Sequence, residues 1–286
     1  MPPLFERATI AGVGLIGGSL ALAARAAGLF GEVVGFGRSA AHLAAAHRRG
    51  IIDRYSRDPL EAARDADLLV VAVPARAVAA VARACAPALR PGAIVSDVAS
   101  VKAPVLRAVE AALPPGLTFV GAHPVAGTEE SGAAAADGEL FRGSRCIITP
   151  GRRSEPAALR RIRALWEGVG TQVTAMDAAR HDQILAWVSH LPHALAYSAV
   201  NAVVSADAAL QDFAGPSFRD LTRVAASSAD MWCDVFLLNT APLDAAIGQF
   251  IATLQELRRA IASGDEAAVR AELTRAHRVQ RQWTHA

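Results

Sequence analysis

His123 is the side chain best placed for acid–base chemistry. It lies in Val120-Gly-Ala-His-Pro-Val-Ala-Gly-Thr-Glu-Glu130, behind the short apolar run of residues 117–121. That run reads as a strand, so His123 is expected at its carboxyl end, in backbone that must turn. Ligands of open α/β sheets bind in the crevice at the carboxyl ends of strands. A neutral imidazole there can take a proton near neutral pH. Ser100 and Lys102, in Asp97-Val-Ala-Ser-Val-Lys102, follow a second apolar run and bring a hydroxyl and a charge to the same edge. Ser100 also reads as a helix N-cap, and the two roles are compatible. Arg219 and Arg223, in Phe218-Arg-Asp-Leu-Thr-Arg-Val-Ala225, are suited to clamp a carboxylate through paired hydrogen bonds. Surface ion pairs are the plain alternative for both, and a core aromatic is the plain reading of Trp232. Ser189-His-Leu-Pro-His193 puts His190 and His193 within one helical turn. No Asp, Glu or Cys stands close enough in sequence to complete a metal site with them, and no metal is expected.

Those candidates need a frame, and the chain start supplies it. Residues 8–20 read as strand, glycine turn and helix, with Gly12, Gly14 and Gly17 in the G-x-G-x-x-G spacing. Gly12 permits the tight turn, Gly14 lets a pyrophosphate approach the backbone, and Gly17 lets the helix pack on the strand. The free N–H groups of the helix start then face phosphate. Leu15 and Ile16, inside the spacing, are cofactor-binding candidates with them. The apolar run at residues 65–74 should deliver Val73 and Pro74 to the cofactor at its carboxyl end. The second strand, near residues 32–37, ends in Gly37-Arg38-Ser39 where an NAD site usually carries an acid for the ribose 2′-hydroxyl. Arg38 and Ser39 would instead bind a 2′-phosphate, so NADP is expected to be favoured, with NAD possible. Asp53 lies too far along to replace the acid.

Strand and helix patterns alternate up to about residue 175, which predicts a doubly wound, mostly parallel sheet. Beyond Asp177 strand patterns cease. The expected division is a dinucleotide-binding domain over 1–176 and an all-helical domain over 177–286. Leu243, Ile247, Phe250, Ile251, Leu254, Leu257 and Ile261 repeat at helical spacing and form one apolar stripe. The helical half carries more apolar surface than so small a domain buries alone, so a homodimer through it is expected.

Composition excludes other classes. The net charge of +2, with both signs interspersed, gives no nucleic-acid footprint. Three dispersed cysteines fit a reducing compartment without structural zinc. The uncharged run at residues 8–24 is interrupted by glycines and preceded by Glu6, unlike a signal peptide, and no run is long enough to span a membrane. A cytoplasmic protein is expected. Lys102 is the only lysine among 29 basic residues, which suggests that its position needs a compact ammonium.

In its motifs the chain resembles the prephenate/arogenate dehydrogenases of tyrosine biosynthesis. The resemblance rests on GVGLIGGSLA near the start, DVASVK at 97–102, GAHPVAGTEESG around His123, SHLPH at 189–193, and FRDLTRVA with MWCDVFLLN. It implies a Rossmann-like domain followed by a helical dimerisation domain, with the active site between them. It implies oxidative decarboxylation of prephenate or arogenate, the ring hydride passing to NAD(P)+ and the ring carboxylate leaving as CO2. By the same resemblance His123 is the catalytic histidine that takes the ring hydroxyl's proton, and Ser100 bonds that hydroxyl or orients the histidine. Arg223 binds the ring carboxylate, His193 faces the substrate, Trp232 walls the pocket, and Glu129 joins the surrounding polar network. A β-hydroxyacid dehydrogenase would need a lysine in the helical half, which has none. A silent NADP sensor would not need His123, Ser100 and Arg223 together.

Overall fold

The computed structural model describes residues 2–127, 130 and 132–283. Its strands are β1 (Phe5–Ala11), β2 (Phe30–Phe36), β3 (Arg54–Ser56), β4 (Leu68–Val71), β5 (Ile94–Asp97), β6 (Thr118–Val125), β7 (Arg145–Pro150) and β8 (Gln172–Ala175). They form one sheet in the order β3-β2-β1-β4-β5-β6-β7-β8. The first six run parallel, β7 lies antiparallel to β6, and β8 runs parallel to β7. The interleaved helices are α1 (Leu15–Ala26), α2 (Ala40–Arg48), α3 (Pro59–Ala63), α4 (Val78–Cys85), α5 (Ala103–Ala112) and α6 (Pro156–Gly168). This is the expected doubly wound sheet. Its strand order reverses between β1 and β4, which opens the crevice at their carboxyl ends.

Both faces of the central strands are covered, so their sequences are apolar throughout. Leu68 and Val70 of β4 pack with Ile10, Leu20 and Trp166 on one face. Leu69 and Val71 pack with Val78, Val95, Val105 and Phe119 on the other. The alternation follows from the two-residue period of a strand.

After β8 come α7 (Ala178–Leu185), a π turn (Ala186–His190), α8 (Leu191–Ala206), α9 (Pro216–Thr222), α10 (Ala229–Leu238), α11 (Thr240–Ser263) and α12 (Glu266–Trp283). Strands end at Ala175, and Asp177 caps α7 by accepting from the Ala179 and Arg180 amides. The compact units divide elsewhere, into Met1–Asn239 and Thr240–Ala286. In the first, Trp232 and Val235 of α10 join the same apolar core as Val78 of α4 and Val105 of α5. In the second, Gly264 (φ 68°) ends α11 in a left-handed conformation natural to glycine. Ile251, Leu254 and Ile261 of the apolar stripe stay exposed. No single helix among the described residues is long and apolar enough to cross a membrane.

Two local expectations are corrected, for Ser100 and His123, and two elements carry no clear pattern in the sequence. The segment after Pro74 is a 3-10 turn, α4 and a second 3-10 turn, the last because Pro87 cannot donate into an α-helical ladder. The edge strand β3 carries no apolar run that would reveal it. Ser100 is not an N-cap, since α5 begins at Ala103 and is capped from outside its own segment. His123 lies inside β6, not in a turn beyond it. The parallel ladder with β5 stops at Ser96↔Val120, while the antiparallel ladder with β7 continues through His123↔Ile147. His123 therefore still stands past the end of β5, but on backbone fixed by β7.

Candidate active site

The cofactor edge is built by β1, the glycine turn and α1. Gly12 has φ 97°, and a Cβ on it would lie 2.2 Å from the Ala72 carbonyl oxygen. A Cβ on Gly17 would lie equally close to the Gly12 carbonyl, so helix and strand meet only without side chains there. Around Gly14 nothing comes within 4 Å of a Cβ position. Gly14 is also the N-cap of α1 and offers no side-chain cap, which leaves the first-turn amides for an incoming anion. This open cradle fits a dinucleotide pyrophosphate. Leu15, Ile16 and Val73 are half-buried around it and Pro74 is exposed. Arg38 is exposed just past β2, and the Ser39 hydroxyl accepts from the His42 amide at 3.3 Å as the cap of α2. Asp53 is engaged elsewhere, with Arg25 at 2.9 Å and the Val33 amide at 2.7 Å.

A buried ion pair sets the ends of β5 and β6. The Lys102 ammonium donates to Asp97 and, at 2.7 Å, to the Ala122 carbonyl. The Asp97 carboxylate also accepts from the Ala99 and Ala122 amides at 3.0 and 3.2 Å. Lys102 is 1% exposed and Asp97 fully buried, so the pair holds the residue before His123 from both sides. Burial pushes the Lys102 pKa down, while Asp97 pulls it back up. A guanidinium would bring more donors than the two acceptors present here, which accounts for the only lysine in the chain.

His123 is also buried, and its Nδ1 lies 2.8 Å from Nε2 of His181 in α7. Nδ1 of His181 lies 2.8 Å from Asp182 Oδ1. The Asp182 carboxylate accepts in addition from the Lys102 and Ala103 amides, each at 2.8 Å, and so caps α5 from α7. Burial holds the His123 pKa well below the ordinary histidine range, and the charges of His181, Lys102 and His190 push the same way. His181 is lowered too, chiefly by burial, with Asp182 opposing.

The SHLPH segment falls on the π turn. Pro192 has no N–H to return to the preceding turn, and the ladder widens, Leu191 N–H bonding to the Ala186 carbonyl. This aims His190 and His193 apart in their bonding. His190 Nδ1 meets Asn239 Nδ2 at 3.0 Å, and Asn239 also donates to the Asp182 carbonyl at 2.8 Å. His193 Nδ1 donates to the Ser189 carbonyl at 3.0 Å. The His193 ring stacks on Trp232 at 3.5 Å, and burial lowers its pKa, the Ser189 carbonyl opposing and the Arg223 charge acting with burial. Arg223 is exposed at the start of a 3-10 turn, held near by the Tyr197 hydroxyl bonding to the Ser227 carbonyl at 2.8 Å. Arg219 turns back to the Ala214 carbonyl at 3.0 Å. Arg76, just past Pro74, pairs with Asp234 of α10 at 2.7 Å and ties the cofactor edge to the Trp232 helix.

The structure thus joins His123 to Lys102 and Asp97 through β6, and His193 to Trp232 and Arg223 through α8 and α10. Ser100 is half-buried in the turn between β5 and α5, and Glu129 lies outside the described residues. Sequence reasoning missed His181, Asp182 and Asn239. Their only signal was a His-Asp pair, set between Arg180 and Gln183, and an Asn that ends an apolar run.

These buried histidines make stability acid-sensitive. His190 is pushed down to about 4 by burial, against 6.5 when unfolded. Between those values the unfolded chain holds a proton that the folded chain refuses, so stability is lost as pH falls from 6.5 toward 4. His190 alone contributes roughly 3 kcal/mol to that loss, and His123 and His181 add in the same direction. Urea midpoints at pH 7.5 and 4.5 should differ accordingly. Equal midpoints would contradict neutral histidines in the fold.

Comparison with known proteins agrees with this geometry. The chain matches "Prephenate dehydrogenase, nucleotide-binding domain" over residues 20–175 and "Prephenate dehydrogenase, dimerization domain" over 177–275. It is 38% identical to the cyclohexadienyl dehydrogenase of Zymomonas mobilis, over 92% of this chain and 90% of that one. It is 30% identical to the prephenate dehydrogenase of Bacillus subtilis, over 90% and 70% respectively. Its fold superposes on the A. aeolicus prephenate dehydrogenase solved with hydroxyphenyl propionate and NAD+, with TM-score 0.90, 31% identity and 98% of each chain covered. With both of its parts matched in order, the chain belongs to the prephenate dehydrogenase family of nicotinamide-dependent oxidoreductases.

Proposed function

We propose that the protein oxidises and decarboxylates prephenate to 4-hydroxyphenylpyruvate, with NADP favoured over NAD. The observation that carries this reading is His123, buried past the end of β5 and bonded through Nδ1, with Nε2 left for a substrate hydroxyl. When bound, the nicotinamide would supply the hydride acceptor for the ring carbon that carries the hydroxyl. His123 Nε2 takes the hydroxyl proton as the carbonyl forms. The Ser100 hydroxyl bonds the same oxygen. Arg223 holds the ring carboxylate, and His193 with Trp232 forms the wall beside it. Carbon dioxide then leaves because the ring becomes aromatic, and no second base is required. Gly12, Gly14, Gly17, Leu15 and Ile16 would hold the dinucleotide, Val73 and Pro74 would line it, and Arg38 with Ser39 would bind the 2′-phosphate. Residues 1–176 carry these cofactor groups, and residues 177–286 carry the substrate side and the dimer contact.

Oxidation of arogenate is the second reading, supported by likeness to the arogenate dehydrogenase of Synechocystis. The substrates differ by an amine in place of a side-chain ketone, remote from His123 chemistry. Turnover with prephenate or arogenate, each with NAD+ or NADP+, tests both readings. Turnover with prephenate and NADP+ should be strongest. Preference for NAD+ at equal concentration would refute the role given to Arg38 and Ser39, and silence in all four would refute the activity.

Changing Arg223 to Ala should raise KM for prephenate about 10- to 100-fold, since a charge-assisted bond to a carboxylate contributes about 1.5–3 kcal/mol. An unchanged KM moves the clamp to Arg219. The exposed Ile251, Leu254 and Ile261 stripe supports a homodimer, which a monomeric mass by light scattering would contradict.

A further inference from the structure

We propose that His181 and Asp182 are positioning residues that fix His123 in the Nδ1–H tautomer, so that its Nε2 always presents a lone pair to the substrate. The inference rests on the reading of His123 as the base and adds what prepares it. It follows from hydrogen-bond valence. Backbone amides can only donate, and they occupy both oxygens of Asp182, from Lys102 at Oδ1 and from Ala103 at Oδ2. As a carboxylate with both oxygens already accepting, Asp182 can only accept from its remaining neighbour. The contact from His181 Nδ1 to Oδ1, at 2.8 Å, must be an N–H donating to that carboxylate. A neutral His181 with its proton on Nδ1 has a bare Nε2. That Nε2, 2.8 Å from His123 Nδ1, can only accept, so the His123 proton sits on Nδ1 and its Nε2 is bare in turn.

Burial supports the neutral form of His181 on which this chain of donors depends. A doubly protonated His181 would reverse the bond to His123 and place a proton on the working nitrogen. Burial is the largest influence against that state, while the Asp182 and Asp97 carboxylates pull the other way. The Lys102 ammonium disfavours a second cation, and Lys102 is itself held by Asp97. His190, the other titratable group on the adjoining π turn, is held neutral by burial and bonded to Asn239. During turnover the substrate O–H breaks and the His123 Nε2–H forms. The positive charge then lies on a ring whose Nδ1–H already points along His181 toward Asp182. No proton has to leave His123 in that step, and Asp182 remains a carboxylate. The device also couples the two halves of the site. One carboxylate caps the helix that follows Ser100 and orients the base on β6.

The test uses the whole enzyme. In protein labelled with 15N at histidine, the His123 signals, assigned by their loss in His123→Asn, should show a protonated Nδ1 and an unprotonated Nε2 near pH 7.5. The opposite tautomer overturns the proposal without any variant at position 181. His181→Leu should lower kcat roughly 100-fold, between no effect and the ~10,000-fold loss of a wholly wrong tautomer, with KM for prephenate within about threefold. His181→Gln puts an amide oxygen near the Nε2 position and should recover at least about tenfold of that loss, because the acceptor alone restores the tautomer. A Leu variant at wild-type kcat, or Leu and Gln variants equally impaired, would sink the relay. Failure of the underlying reading looks different, since His123→Asn would then still turn over.

Discussion

His123→Asn is expected to lose about 100- to 10,000-fold in kcat, the range that a positioned general base contributes, while cofactor and substrate still bind. The reason is geometric. An Asn side chain is shorter than imidazole and has no basic nitrogen, so the hydroxyl proton must go to water during hydride transfer. The position of strand β6 does not depend on the ring, because its backbone is held by β7 and by the Asp97–Lys102 pair. Circular dichroism and the dissociation constant of NADP should therefore match the native protein, and the change should appear in kcat with KM little altered. A variant that keeps native kcat would remove His123 from the chemistry.

The second large effect concerns stability. Asp97→Ala should cost about 3–5 kcal/mol, the usual consequence of stranding one member of a buried ion pair. Lys102 would keep only the Ala122 carbonyl as partner, and the Ala99 and Ala122 amides would lose their acceptor. Lys102→Met alone should be damaging for the complementary reason. Combining Asp97→Ala with Lys102→Met should cost clearly less than the sum, because the stranded charge disappears. Urea denaturation of the two single variants and the double variant reads this coupling directly. Strict additivity would show that the pair does not act as a unit. The pair also fixes the backbone before His123, so any folded Asp97→Ala protein should lose turnover as well.

The two predictions separate what was legible in the sequence from what was not. The dinucleotide turn was legible because its chemistry is local. Gly12, Gly14 and Gly17 act through backbone space within six residues, and their spacing alone states the geometry. The strands were legible because both faces of the sheet are buried, so Leu68–Val71 and Ile94–Asp97 are recognisable runs. His123 and Lys102 stood out by type and place, and the structure shows why a lysine is needed at 102. The edge strand β3 was hidden because three residues with one face in solvent carry no pattern.

By itself the sequence determined the alternating fold, the cofactor edge, the family, and a set of polar residues that an apolar interior would not otherwise carry. Only the tertiary structure decided which of them touch. His181 and Asp182 are separated from His123 by almost sixty residues, yet they lie in one line of 2.8 Å contacts with it. Nothing local reveals that line, because adjacent helix residues leave the axis in different directions. Their partners are set by how α7 docks beside the ends of β5 and β6. The same holds for the cap of α5, which Asp182 supplies across 79 residues in place of Ser100. Local interactions set the elements, and burial then forced each remaining polar group to find a partner from another element, since an unpaired buried donor or charge costs more than the docking that satisfies it.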